Sequence, residues 1–248
     1  MGTMTRRTFI AGAIAAPILL KAGGSVGAQT TNGWSHLNII VPASTVPGHT
    51  GRMTLGERSH ANTMIGALPG HILSFSGGLG GLRQTTVVSR LPITKASPDG
   101  GGDTVWVSPS DAADIYARYN ASSYDMVCLW TSGSVLRSSY SGLTVSGPYP
   151  AGASYIPVGD DPAMDKYATL PTHELAWPLC AYWISQGFPC PPGLDAAAYI
   201  NPRTKAPYDG SDGWYAFYTD LFRGRVNDGN GNMLGGTPAA WASGRPTT

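Results

Sequence analysis

The chain has 248 residues, 42% hydrophobic and only 12% charged, with 16 Lys and Arg against 15 Asp and Glu. This near-neutral balance excludes a basic nucleic-acid footprint and a polyacidic tail, and the length suits one domain around one sizeable core. With 33 Gly and 20 Pro, the composition fits a rigid, loop-rich extracellular protein better than a cytosolic one.

The N-terminus reads Thr5-Arg6-Arg7-Thr8-Phe9-Ile10, followed by the mostly apolar run 11–20, Lys21 and small residues up to Ala28. This resembles a twin-arginine export signal, with paired arginines in a charged leader and an apolar run too short for a stable membrane span. Cleavage is expected before Gln29, leaving residues 29–248 as a single secreted globular domain; the alternative is an uncleaved anchor. Loss of Arg6, Arg7 and Lys21 takes the formal charge from +1 to −2. No later stretch is apolar for long enough to cross a bilayer. Export in the folded state is compatible with a metal or cofactor acquired beforehand.

In chain order, residues 37–42 read as a strand ending at a proline. Residues 48–61 hold His49, Arg52, Glu57, Arg58 and His60 in a polar, turn-forming setting and read as a loop, after which 64–69 turn apolar. Residues 71–76 read as a second strand. The glycine cluster at 77–81 lacks the Gly-Lys-Ser/Thr of a phosphate loop and precedes a strand at 82–88, so it reads as a hairpin or substrate-facing loop. A Gly-rich connection at 98–103 leads to Ser108-Pro109-Ser110-Asp111, a helix start with Ser108 as its cap, and helical spacing to Tyr119. Residues 124–130 form a nearly continuous apolar strand containing Cys128, residues 132–150 an exposed loop or hairpin over the sheet edge, and 154–158 another strand. A helix followed by a buried strand indicates an α/β or α+β domain with a mixed sheet packed on a central helix.

That central helix is expected to start near Thr172, which would cap it, and to run to about Ser185 with Leu175, Leu179, Tyr182 and Trp183 on its apolar face. Its first turn carries His173-Glu174. A zinc peptidase helix carries His-Glu-x-x-His, two imidazoles one turn apart binding the metal while the Glu polarises a water; here Trp177 stands in the second position. Cys180 and Cys190 flank the helix end and a proline-rich segment, so a short-loop disulfide formed outside the cytoplasm is expected. Asp228-Gly229-Asn230-Gly231-Asn232 starts like a calcium loop, but Ala239 replaces the carboxylate at its twelfth position, so it reads as a turn. No Gly-x-Ser-x-Gly elbow occurs, and Ser76 and Ser134 have no assignable partners.

The order of a helix, the strand around Tyr124-Asp125-Met126-Val127, the Thr172-His173-Glu174-Leu175-Ala176 helix and the aromatic segment Trp214-Tyr215-Ala216-Phe217-Tyr218-Thr219-Asp220 resembles secreted zincin-type proteins over residues 108–222. In those a sheet packs on the metal-site helix and a later aromatic segment closes the cleft. The resemblance implies a hydrolase acting on extracellular peptide or cell-wall material, with Glu174 as general base and His173 as a zinc ligand completed by His60, Asp165 or Asp195. Trp177, Trp214, Tyr215 and Tyr218 would then face substrate. Trp177 makes a degenerate relative the competing form of this reading. A non-catalytic carbohydrate- or surface-binding protein using its Tyr and Trp faces is the rival, and a small-molecule enzyme with a preloaded cofactor is a third.

Overall fold

Strands whose successive side chains point to opposite faces, both apolar, can be stable only when both faces are covered. The central strands of this chain are of that kind. The structure is a computed structural model that describes residues 33–100, 102–138, 142–145, 152–159, 169–208 and 213–243. The expected export signal and its expected cleavage site lie outside the described residues.

Strand β1 (Gly33–Ile40) runs into a hairpin of β2 (Ala43–Val46) and β3 (His49–Arg52), then helix α1 (Leu55–Ser76) and strand β4 (Gly81–Val88). A small hairpin, β5 (Ser97–Pro98) and β6 (Val105–Trp106), precedes α2 (Ala113–Arg118) and β7 (Met126–Ser132). There follow β8 (Leu143–Val145), β9 (Gly152–Val158), α3 (Thr169–Ser185), α4 (Gly213–Leu221), the hairpin β10 (Val226–Asn227) and β11 (Met233–Leu234), and α5 (Pro238–Ala242). The main sheet has the order β4-β1-β7-β9-β8, parallel except for the antiparallel outer strand β8. The fold is a single compact α/β domain with a mixed five-stranded sheet, as the sequence predicts.

Alternation along the strands divides the interior. Leu37 and Ile39 of β1, Val127 and Leu129 of β7, and Ala153 and Tyr155 of β9 pack with Ile115 and Tyr116 of α2 on one face. On the other, Ile40, Cys128, Trp130, Ile156 and Val158 pack with Ala61, Met64 and Ile65 of α1. Trp34 and Met126 continue that face into a larger core with Leu68, Ile72 and Phe75 of α1, Leu175, Leu179 and Trp183 of α3, Phe217 of α4, and Trp241 of α5. Each large side chain so buried contributes about 1.5–3 kcal/mol.

Several expectations are corrected. Residues 48–61 are not a loop: β3 and the start of α1 occupy them, and Thr54 caps α1 in a capping box with Glu57. Residues 71–76 are the last turns of α1, not a strand. The buried positions Ala61, Met64, Ile65, Leu68, Ile72 and Phe75 follow the helical period, and Gly77, in a left-handed conformation at φ 65°, ends the helix. Helix α2 begins at Ala113, later than Ser108, because Ser108 and Asp111 bond reciprocally in a turn before it. Helix α3 begins at Thr169, so Thr172 is not its cap; the Thr172 hydroxyl is buried without a hydrogen-bond partner among the described residues. One reading stands unchanged: Asp228 to Asn232 is a turn, held by Asp228 accepting from the Asn230 and Asn232 amides.

Candidate functional site

Residues four apart on a helix lie on one face, one turn above another. On α3 this places Trp177 over His173, and the indole N–H donates to His173 Nε2 at 3.2 Å. A neutral imidazole carries one proton, so with Nε2 accepting, Nδ1–H donates to the Tyr218 hydroxyl oxygen of α4 at 2.6 Å. Trp214 stands edge-on to the imidazole, with ring centres 5.5 Å apart. Burial pushes the His173 pKa down from 6.5 to about 4, so near neutral pH the ring is uncharged and held in one tautomer.

Glu174, the next residue, lies about 100° around the helix and faces the outer strand. The Thr144 hydroxyl of β8 lies 2.7 Å from its Oε2 and 2.9 Å from its backbone oxygen, and the Ser154 hydroxyl of β9 donates to the same backbone oxygen at 3.1 Å. A Cβ on Gly142 would come within 2.4 Å of Glu174 Oε1, so a side chain there would have to displace the carboxyl. Burial raises the Glu174 pKa from 4.5 to about 7, with the Thr144 hydrogen bond opposing the shift. A carboxyl titrating near neutrality can accept or donate a proton, but it does so beneath β8 rather than beside the imidazole.

This placement predicts a pH effect on stability. Between pH 4.5 and about 7 the folded chain retains a proton on Glu174 that the unfolded chain has released, so this group lowers stability as pH rises through that window. His173 and the buried His36, both lowered to about 4, act in the opposite sense: their contribution is present above 6.5 and is lost as pH falls toward 4. Glu174→Gln removes only the first effect. Its stability relative to the unaltered protein should therefore rise by up to about 3 kcal/mol from pH 4.5 to 7. Urea denaturation across that range measures the difference, and a constant offset would show that the carboxyl ionises freely in the fold.

Of the other residues expected at a metal site, the described ones do not form a ligand group with His173. His60 sits half-buried on α1, Asp195 caps the 3-10 turn Ala196–Ala198 by accepting from the Ala197 amide at 3.2 Å, and Asp165, like Asp160 and Asp161, lies outside the described residues. Among the described residues no group of three or more His, Cys, Asp or Glu is placed to hold a metal ion. Both nitrogens of His173 are already engaged by protein groups. Among the described residues, His173 thus offers zinc no free imidazole lone pair, and no further ligand stands beside it.

The expected aromatic wall is partly present. Trp177 is 38% exposed and Tyr215 46%, and Trp214 is half-buried, but Tyr218 is only 1% exposed and cannot stack on a ligand. Tyr218 instead lies among Phe75, Trp214 and Phe222, and burial holds its phenol well above the usual range.

A second polar centre was missed in the sequence. Glu57, fully buried, accepts from the Thr54 amide at 2.8 Å, the Ser132 hydroxyl at 2.8 Å and the Ser134 amide at 3.0 Å. It thereby joins the first turn of α1 to the loop after β7. The available signal was Thr54-x-x-Glu57, a capping-box pattern.

Compared with known proteins, the chain matches no protein-family model and no curated protein sequence.

Proposed function

We propose that the protein is an exported, zincin-like protein that has lost its metal site and uses the aromatic surface around His173 to bind extracellular peptide or glycan. One observation carries this reading: the Trp177 N–H donates to His173 Nε2, the nitrogen that a zincin-type arrangement would offer to zinc. The packing of α3 against β8 and β9, with the aromatic helix α4 against His173, supports the zincin-like part. Trp177 and Tyr215 supply exposed flat faces with polar edges, suited to stacking on sugar rings or peptide side chains. The same features favour binding over metal-assisted hydrolysis. Cys180 and Cys190, expected to be bridged, are buried free thiols, with burial first and Cys190 second holding the Cys180 thiol above its usual range. In an oxidising compartment they would close a short loop worth roughly 3 kcal/mol.

Zinc analysis of the purified protein tests the loss of the metal site. The unaltered protein is expected to hold no stoichiometric zinc, while Trp177→His, which restores a second imidazole one turn from the first, is expected to gain zinc affinity at least about tenfold. Stoichiometric zinc released by His173→Ala would overturn the reading and return the hydrolase. Tryptophan fluorescence titrated with cell-wall peptides and glycan oligomers tests the binding surface, with weaker binding expected for Trp177→Ala and Tyr215→Ala. Free thiols at Cys180 and Cys190 in protein recovered from outside the cell would count against export through an oxidising compartment.

A further inference from the structure

The sheet changes winding direction between two adjacent strands. From β1 the chain crosses through α1 to β4 on one side, whereas β7 lies on the other. Connections leaving in opposite directions open a crevice at the carboxyl ends of such strands, where open α/β sheets bind ligands. At this position the structure has a cavity of about 260 Å³ lined by His49, Thr50, Asp103, Ser134 and Arg137, with Gly48 and Val135 completing the wall. It shares none of these residues with the surroundings of His173.

The hydrogen bonds define what the cavity offers. His49 is 8% exposed, and its Nδ1 lies 3.1 Å from the Val135 carbonyl oxygen. A carbonyl only accepts, so Nδ1 carries a proton, and in the neutral ring Nε2 then presents a lone pair 3.6 Å from Asp103 Oδ1. The Thr50 hydroxyl donates to the Val46 carbonyl at 3.2 Å. The Ser132 hydroxyl gives its proton to Glu57, so Ser134 is the donor in the 3.0 Å contact between the two serines. Thr50 and Ser134 therefore present lone pairs. Asp103 adds a carboxylate with 90% of its side chain exposed. Arg137, also exposed, has no side-chain partner among the described residues and is the cavity's cationic donor.

Four acceptors beside one guanidinium match a molecule that carries an ammonium close to a carboxylate. The volume lies below the roughly 300–1,000 Å³ of pockets for drug-sized ligands, which restricts the occupant to a small molecule. We propose that this cavity binds a small zwitterion of the amino-acid class, its carboxylate on Arg137 and its ammonium on Asp103 and His49 Nε2. The walls are built for a fixed geometry. Hairpin β2–β3 is pinned by backbone bonds to Ile93, a Cβ on Gly51 would come within 2.8 Å of Val135, and Glu57 holds the Ser132–Val135 loop.

Titration of the full chain with the standard amino acids, followed by the NMR resonances of the His49 imidazole, tests the proposal. At least one amino acid is expected to bind at millimolar concentration and shift those resonances, with acetate and methylammonium each binding at least about tenfold more weakly. Asp103→Asn and Arg137→Gln, both at exposed positions that leave the core untouched, are expected to weaken the amino acid at least about tenfold, and Trp177→Ala to leave it unchanged. No response to any amino acid would overturn the proposal. So would acetate binding as tightly as the amino acid, which would define a plain anion site.

Discussion

Glu57→Ala is expected to destabilise the protein by about 3–5 kcal/mol, through the loss of bonds at one buried carboxylate. The carboxylate accepts from the Thr54 amide, the Ser132 hydroxyl and the Ser134 amide, and the Glu57 amide completes the capping box by donating to Thr54 Oγ1 at 3.0 Å. Loss of an N-terminal cap alone costs about 1 kcal/mol. The remainder comes from buried donors left without acceptors. Glu57→Gln separates charge from shape: every partner of the carboxylate is a donor, so the amide NH₂ must face one of them, and a cost of about 2–3 kcal/mol is expected. Urea denaturation at neutral pH gives both values, and a loss under about 1 kcal/mol for the alanine variant would mean that water replaces the carboxylate without strain.

Gly80→Ala is the second substitution expected to have a large effect, at about 3 kcal/mol. A Cβ at this position would lie 2.0 Å from Cε3 and 2.3 Å from Cδ2 of Trp241. The ring cannot move aside. Its N–H donates to the Phe222 carbonyl at 3.0 Å, it packs edge-on against Trp183 with ring centres 5.0 Å apart, and the Trp34 N–H donates to its backbone oxygen. The coupling can be read from a double-mutant cycle. In a Trp241→Leu background, where the indole is absent, the cost of Gly80→Ala should fall to about 1 kcal/mol or less. Additive costs in calorimetry or denaturant unfolding would place the strain elsewhere.

The sequence carries the main strands most clearly because their signal is continuous. Residues 126–130 are apolar without interruption, so both sides of the buried strand β7 are marked in the sequence. Helix α1 is less legible, since Gly66, Pro69 and Gly70 interrupt its apolar period and make its last turns resemble a short strand. His173 and Glu174 are visible as a motif, and Trp177 as a departure from it. Which atom the indole engages depends on a side-chain rotamer and on the i to i+4 geometry of a formed helix, neither of which residue types specify. His49 at the start of β3, Asp103 in the β5–β6 connection, and Ser134 and Arg137 after β7 come from three separate segments, so no spacing in the chain connects them. Only the strand order brings them together.

The β2–β3 hairpin lies outside the main sheet and is tied to it by bonds to Ile93, by contacts with Val135 and by Val46, which packs into the core with Leu37 and Ile39. Its two-residue tip, Pro47 and Gly48, is exposed, and His49 follows directly. The tip between the buried Val46 and His49 is therefore the place that can accept insertions or exchanged sequence without disturbing the parallel strands. Variation in what the switch-point cavity selects would be cheapest to evolve, or to engineer, in this segment.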